Sequence, residues 1–144
     1  QDGRKVMLLY TDGADTRSRM RFTDTAELVK ASDVTIYAVG FQKHLSAKVR
    51  RIQRMRLEQL VEITGGKCYF PDSEDDLDEI YEEIANELNA RYSLGFVSTN
   101  DRSDGTWRRV EVKMQSARPE LRRTDVRTRQ GYFSAYDETE ANGR

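Results

Sequence analysis

Asp12 is the residue best placed to do chemistry. It stands in "VMLLYTDGADT", residues 6–16, where an apolar run breaks at a single Asp-Gly pair, with Asp15 and Thr16 close behind. A carboxylate there can ligate a cation, act as a nucleophile, or only open a turn. One carboxylate does not define a Mg²⁺ site, because that ion takes six oxygens in near-octahedral array. Its position gives it weight: in an open parallel sheet, ligands bind beyond the carboxyl ends of the strands.

The elements that must position it follow from hydrophobic spacing. "KVMLLYT", residues 5–11, is a continuous apolar run, the pattern of a strand buried on both faces of a parallel sheet. Asp24 with Glu27 three residues on reads as a capping box opening a helix whose Ala26, Leu28, Val29 and Ala31 cover that sheet. "VTIYAVGF", residues 34–41, is a second strand rich in β-branched and aromatic residues. Val49, Ile52, Leu57, Leu60, Val61 and Ile63 then recur at helical spacing from residue 47 to 64, and Gly65-Gly66 supplies the stop. "KCYF", residues 67–70, is a third strand, and Ser73 with Asp76 caps a helix carrying Leu77, Ile80, Tyr81, Ile84 and Leu88 on one stripe.

Strand and helix alternate through residue 88, which predicts an α/β fold with a doubly wound, mostly parallel sheet, because parallel neighbours require crossover connections. Beyond residue 90 the pattern changes. "RYSLGFVST", "TWRRVEVKM" and "TDVRTRQGYF" carry the period-2 alternation of antiparallel strands, with turn chemistry at Ser103-Asp104-Gly105. Three parts result: 1–90, a small antiparallel β appendage at 91–136, and a loose polar tail at 137–144.

The totals exclude several classes. With 24 basic and 25 acidic residues the net charge is −1, so no whole-molecule field draws in nucleic acid or an anionic membrane. No apolar run reaches the roughly 20 residues of a membrane span. Cys68 is the only cysteine and His44 the only histidine, which leaves no cysteine metal site or disulfide within the chain and makes His44 a surface residue of a polar loop. Cys68, in a strand, reads as an inert, half-buried thiol. The basic stretch from Lys48 to Arg56 reads as a solvated helix face beside the acidic helix of residues 72–87. "DSEDDLDEIYEE" is a capped helix and not an EF-hand, since Leu77 stands where that loop needs Gly. Tyr92, Phe96, Trp107, Tyr132 and Phe133 pack the appendage onto the helical layer.

"KVMLLYTDGADT", followed by "DVTIYAVGF", "LEQLVEITGGKCYF" and "DDLDEIYEEIANEL", resembles the second half of a von Willebrand factor type A domain. "RYSLGFVSTN", "DGTWRRVEVKM" and "VRTRQGYF" are similar to the C-terminal extension of the bacterial VWFA-related family. The resemblance implies a metal-ion-dependent adhesion site with ligands from three loops: an Asp-x-Ser-x-Ser, a Thr, and the Asp of a "TDG" turn. Asp12 matches the third; Thr11 precedes it and is not the family's Thr ligand. The other two are absent, since Asp101-Arg102-Ser103-Asp104-Gly105 lacks the final Ser and does not follow a buried strand.

The chain therefore reads as an N-terminally truncated domain of this type, beginning at Gln1 inside a longer protein. The expected function is non-enzymatic protein binding, the parent engaging a protein partner through Mg²⁺ or another divalent cation at Asp12, with Thr11, Gly13, Asp15 and Thr16 shaping the loop. The fragment itself is expected to hold no cation. The edge of strand 5–11 is expected to be exposed and to drive self-association. The alternatives are a Mg²⁺-dependent hydrolase or phosphoryl-transfer domain using Asp12, which calls for further carboxylates at neighbouring strand ends, and a purely structural module. Family resemblance favours a secreted, periplasmic or cell-surface setting.

Overall fold

The computed structural model describes residues 5–11, 19–115 and 126–136. The expected tail at 137–144 lies outside them. Three parallel strands form the central sheet: β1 (Lys5–Thr11), β2 (Val34–Gly40) and β3 (Cys68–Tyr69), in the spatial order β1-β2-β3. The register sets Lys5 opposite Val34 and Thr11 opposite Gly40, then Ala38 opposite Cys68. α1 (Phe22–Ala31) and α2 (Ala47–Thr64) make the two crossovers, and α3 (Leu77–Asn89) follows a short 3₁₀ turn at Glu74–Asp76.

Two successive right-handed crossovers stepping in one direction leave their helices on the same face of the sheet. Accordingly Ile36 and Ala38 pack with Leu57 and Val61 of α2, against Val29 of α1, while Tyr37 and Val39 face the other way onto Ile84 of α3. β2 is thus buried on both faces, and its alternate side chains feed two separate cores. The basic and acidic helices consequently lie on opposite faces, not beside one another as their proximity in sequence suggests.

The boundaries hold well where chain chemistry is local. α2 ends at Gly65, whose φ of 74° is the left-handed conformation that stops a helix without a Cβ penalty. At Gly66 a Cβ would stand 1.8 Å from the Ile36 carbonyl oxygen, so the turn runs directly against β2. Ser73 N donates to Asp76 Oδ2 at 3.0 Å, the predicted capping pair. At α1 the prediction is corrected by one turn. The helix begins at Phe22, and Asp24 is not its N-cap but its third residue, its carboxylate accepting the Arg21 backbone N–H at 3.3 Å.

Two strand predictions are also corrected. β1 pairs in parallel as predicted but is not buried on both faces: Val6 and Met7 are 42% and 49% exposed, because β1 has a strand on one side only among the described residues. The appendage forms a two-stranded antiparallel sheet, β4 (Trp107–Arg109) with β5 (Gly131–Phe133), and residues 91–98 form no strand. Their alternation joins no ladder, and Tyr92, Leu94 and Val97 remain exposed.

Candidate functional site

The carboxyl ends of the three strands point the same way and define a rim. β1 delivers Thr11 there, level with Gly40 of β2, and the Thr11 carbonyl accepts the Phe41 N–H at 3.0 Å. Gly40 packs closely there: a Cβ would stand 3.0 Å from the Phe70 ring, which would have to give way slightly. Gln42, two residues past β2, is 4% exposed, and its Nε2 has no hydrogen-bond partner among the described residues. At the end of β3 an open cleft of about 290 Å³ is walled by Tyr69, Phe70, Asp72, Glu79 and Glu83.

Of the predicted site residues, Thr11 stands where expected, at the strand's carboxyl end. Asp12, Gly13, Asp15 and Thr16 lie outside the described residues. The neighbouring strand ends do not add a catalytic set. β2 ends in Gly40, Phe41 and Gln42, with no carboxylate, and the Asp72 N–H donates to Asp76 Oδ2 at 3.0 Å as part of the helix start. No group of three or more His, Cys, Asp or Glu side chains among the described residues can hold a metal ion. No helix among them is long and apolar enough to cross a membrane.

The sheet order, the two helical layers and the rim are those of an open α/β domain. Residues 1–83, more than half the chain, match the family model of the von Willebrand factor type A domain. The chain belongs to that family. Comparisons with curated proteins and with solved structures return no match. Von Willebrand A domains are in general non-enzymatic protein-interaction modules. The match covers the sheet and helices through most of α3; β4 and β5 stand outside it.

At the amino ends of the strands, away from the rim, lies a polar network that sequence reasoning missed. The fully buried Tyr37 donates its hydroxyl to Glu87 Oε1 at 2.6 Å, and Arg91 donates to Tyr37 Oη and Thr35 Oγ1, each at 3.0 Å. Arg127 forms an ion pair with the same Glu87. Burial pushes the Tyr37 phenol up to about 12, the Glu87 hydrogen bond adds to this, and Arg91 opposes it. Nearby, Arg129 donates to the carbonyls of Lys30 and Ser32 at the end of α1, and Gln130 N donates to the Ile63 carbonyl at 3.2 Å. Residues 127–130 therefore clamp the appendage to the von Willebrand A portion. No spacing rule links Tyr37 to Arg91 or Arg127; only the fold brings them together.

The remaining predicted surfaces divide: Tyr92 and Phe96 are 92% and 63% exposed and do not pack onto the helical layer, because residues 91–98 join no sheet. His44 is exposed. Cys68 is half-buried, and burial pushes its thiol up to about 12, which keeps it protonated and unreactive at neutral pH. Trp107 meets Phe133 edge-on at 5.0 Å, with Lys30 of α1 5.6 Å from the indole, so these aromatics seat the appendage. Phe96 meets Tyr132 at 5.8 Å.

Proposed function

We propose that this chain serves protein recognition through a divalent cation held after β1, with Asp12 as the carboxylate ligand and Thr11, Gly13, Asp15 and Thr16 shaping the loop. The observation that carries this reading is the von Willebrand A match over residues 1–83, which includes the Asp12 segment, together with the delivery of Thr11 to the strand-end rim. Such a cation would be Mg²⁺ or a similar hard ion, offering an open coordination position to an acidic side chain of the partner.

The ligand set does not close around the described residues. Thr11 and Gln42 bring one hydroxyl and one amide to the rim region, and no described carboxylate cluster adds to them. The Asp-x-Ser-x-Ser element is absent from these 144 residues. We therefore assign the rest of the shell to residues outside this chain, and the chain alone to weak or no cation binding. The open edge of β1, with Val6, Met7, Leu8 and Tyr10 exposed, supports a second contact by strand addition, whether from another copy or from a separate segment.

The test is partner binding by the intact protein in Mg²⁺ and in chelator. Binding that is lost in chelator and on Asp12→Ala, with an unchanged far-UV circular dichroism spectrum, is the expected result. Binding that persists undiminished in chelator overturns it.

A further inference from the structure

α2 is packed along only half its length. Every buried residue of this 18-residue helix lies in its second half: Leu57, Val61, Ile63 and Thr64. Residues 47–56 carry five cations and no carboxylate, with Val49, Ile52 and Met55 exposed between them. Arg54 lies over the Phe70 ring and pairs with Glu58, and Arg56 lies near Phe22, but Lys48 and Arg51 form no ion pair among the described residues. Ten residues of helix with an apolar stripe are marginal in water without something to lie against.

The opposite chemistry stands on the other face of the sheet. Residues 74–89 hold eight carboxylates and no cation. Their first turns wall the cleft at the end of β3, where Asp72 and Glu79 stand at the mouth without an ion pair among the described residues, while Glu83 pairs with Lys67 over the Tyr69 ring. Tyr69 is 7% exposed and sits beneath the Lys67–Glu83 pair. The two unpaired carboxylates at its mouth, Asp72 and Glu79, suit an ammonium or guanidinium head, which brings three or five N–H donors and no acceptor. Divalent-metal chemistry is disfavoured there, since no group of three ligating side chains converges among the described residues.

Within one molecule the two features cannot meet, because α2 packs on the Ile36–Ala38 face and α3 on the Tyr37–Val39 face. Both start at the same rim, where α2 and α3 each follow a strand's carboxyl end. A two-fold axis lying in the rim, along the direction in which the strands are stacked, sets the basic half of α2 of each copy against the acidic cleft of the other. We propose that two copies of this chain associate in this reciprocal way, the β3 cleft of one receiving the Lys48 and Arg51 side chains of the other. The contact is isologous, so both halves form at once. It uses no cation, and it is distinct from strand addition at β1.

The experiment is sedimentation of the 144-residue chain in EDTA at low and high salt, with two charge-reversed variants. Reversible dimers at about 20 mM salt that dissociate by about 0.5 M salt are expected, because exposed charge pairs are screened beyond a few ångströms at high ionic strength. Lys48→Glu/Arg51→Glu and Asp72→Lys/Glu79→Lys are each expected to be monomeric alone, since each then opposes like charges. Mixed in equal amounts they are expected to dimerise again, because both contacts of the mixed pair are complementary. A monomeric wild-type chain at low salt overturns the proposal. So do dimers that survive 0.5 M salt or both reversals, which is the behaviour of hydrogen-bonded pairing at the β1 edge. Neither outcome bears on Asp12, whose cation is removed throughout.

Discussion

β1 and β2 are neighbouring parallel strands of seven residues each, both rich in apolar side chains, yet they live in different environments. Tyr37, Ala38 and Val39 of β2 are wholly shielded from solvent, whereas Val6, Met7, Leu8 and Tyr10 of β1 are all exposed by more than a third. β2 has a strand on either side and a helix layer above and below; β1 has one neighbour, with Leu9 alone packed against the main core. Burial is a property of what surrounds a strand, and hydrophobicity only makes burial favourable.

The sharpest way to break the comparison is to cut the same kind of side chain on each strand. Ile36 and Met7 are registered partners facing the same helical layer. Ile36→Ala is expected to cost about 2–5 kcal/mol, the range for truncating a buried aliphatic side chain. Met7→Ala, at a half-exposed position, is expected to stay within about 1 kcal/mol. Urea titrations followed by circular dichroism would measure both, and equal costs would mean that β1 is covered in solution.

A smaller effect is expected from the polar end of β2. Tyr37→Phe removes a hydroxyl shared between Glu87 and Arg91 and is expected to cost about 1–3 kcal/mol at neutral pH. The phenol is raised in the folded state, so the folded protein favours its neutral form. That contribution is fully present below pH 10, the unfolded value, and fades as pH climbs to about 12. Tyr37→Phe should therefore flatten the loss of stability between pH 10 and 12, which melting curves across that window would show.

The smallest effect on stability is expected at the open edge. Leu8→Lys places a charge on an exposed strand position and should change the unfolding free energy by no more than about 0.5 kcal/mol. The same change should suppress any salt-resistant self-association through β1, because charges on edge strands block pairing. Sedimentation at 0.5 M salt distinguishes the two effects.

Much of this architecture was legible in the sequence where the signals are local. The stop at Gly65, the capping pair of Ser73 and Asp76, and the stripe of Leu77, Ile80 and Ile84 depend on neighbours within a few residues, and all stand as predicted. Asp24 misled by one turn because an acidic residue favours both the cap and the first turn of a helix. Residues 91–98 misled because alternation records which side chains could share a face, not whether the backbone joins a ladder, and there it joins none. β1 ends at Thr11, as its apolar run predicts, and the Asp12 loop that follows lies outside the described residues.

The sequence by itself determined the order of strands and helices through residue 88, the family and the charge of each helix, since all of these are written in spacing and composition along the chain. Tertiary structure alone decided that the basic and acidic helices lie on opposite faces, that half of α2 overhangs the core, and that Arg127 and Arg91 converge on Glu87 beneath Tyr37. Those outcomes depend on contacts between residues tens of positions apart, and no local preference records which distant surfaces a fold will bring together.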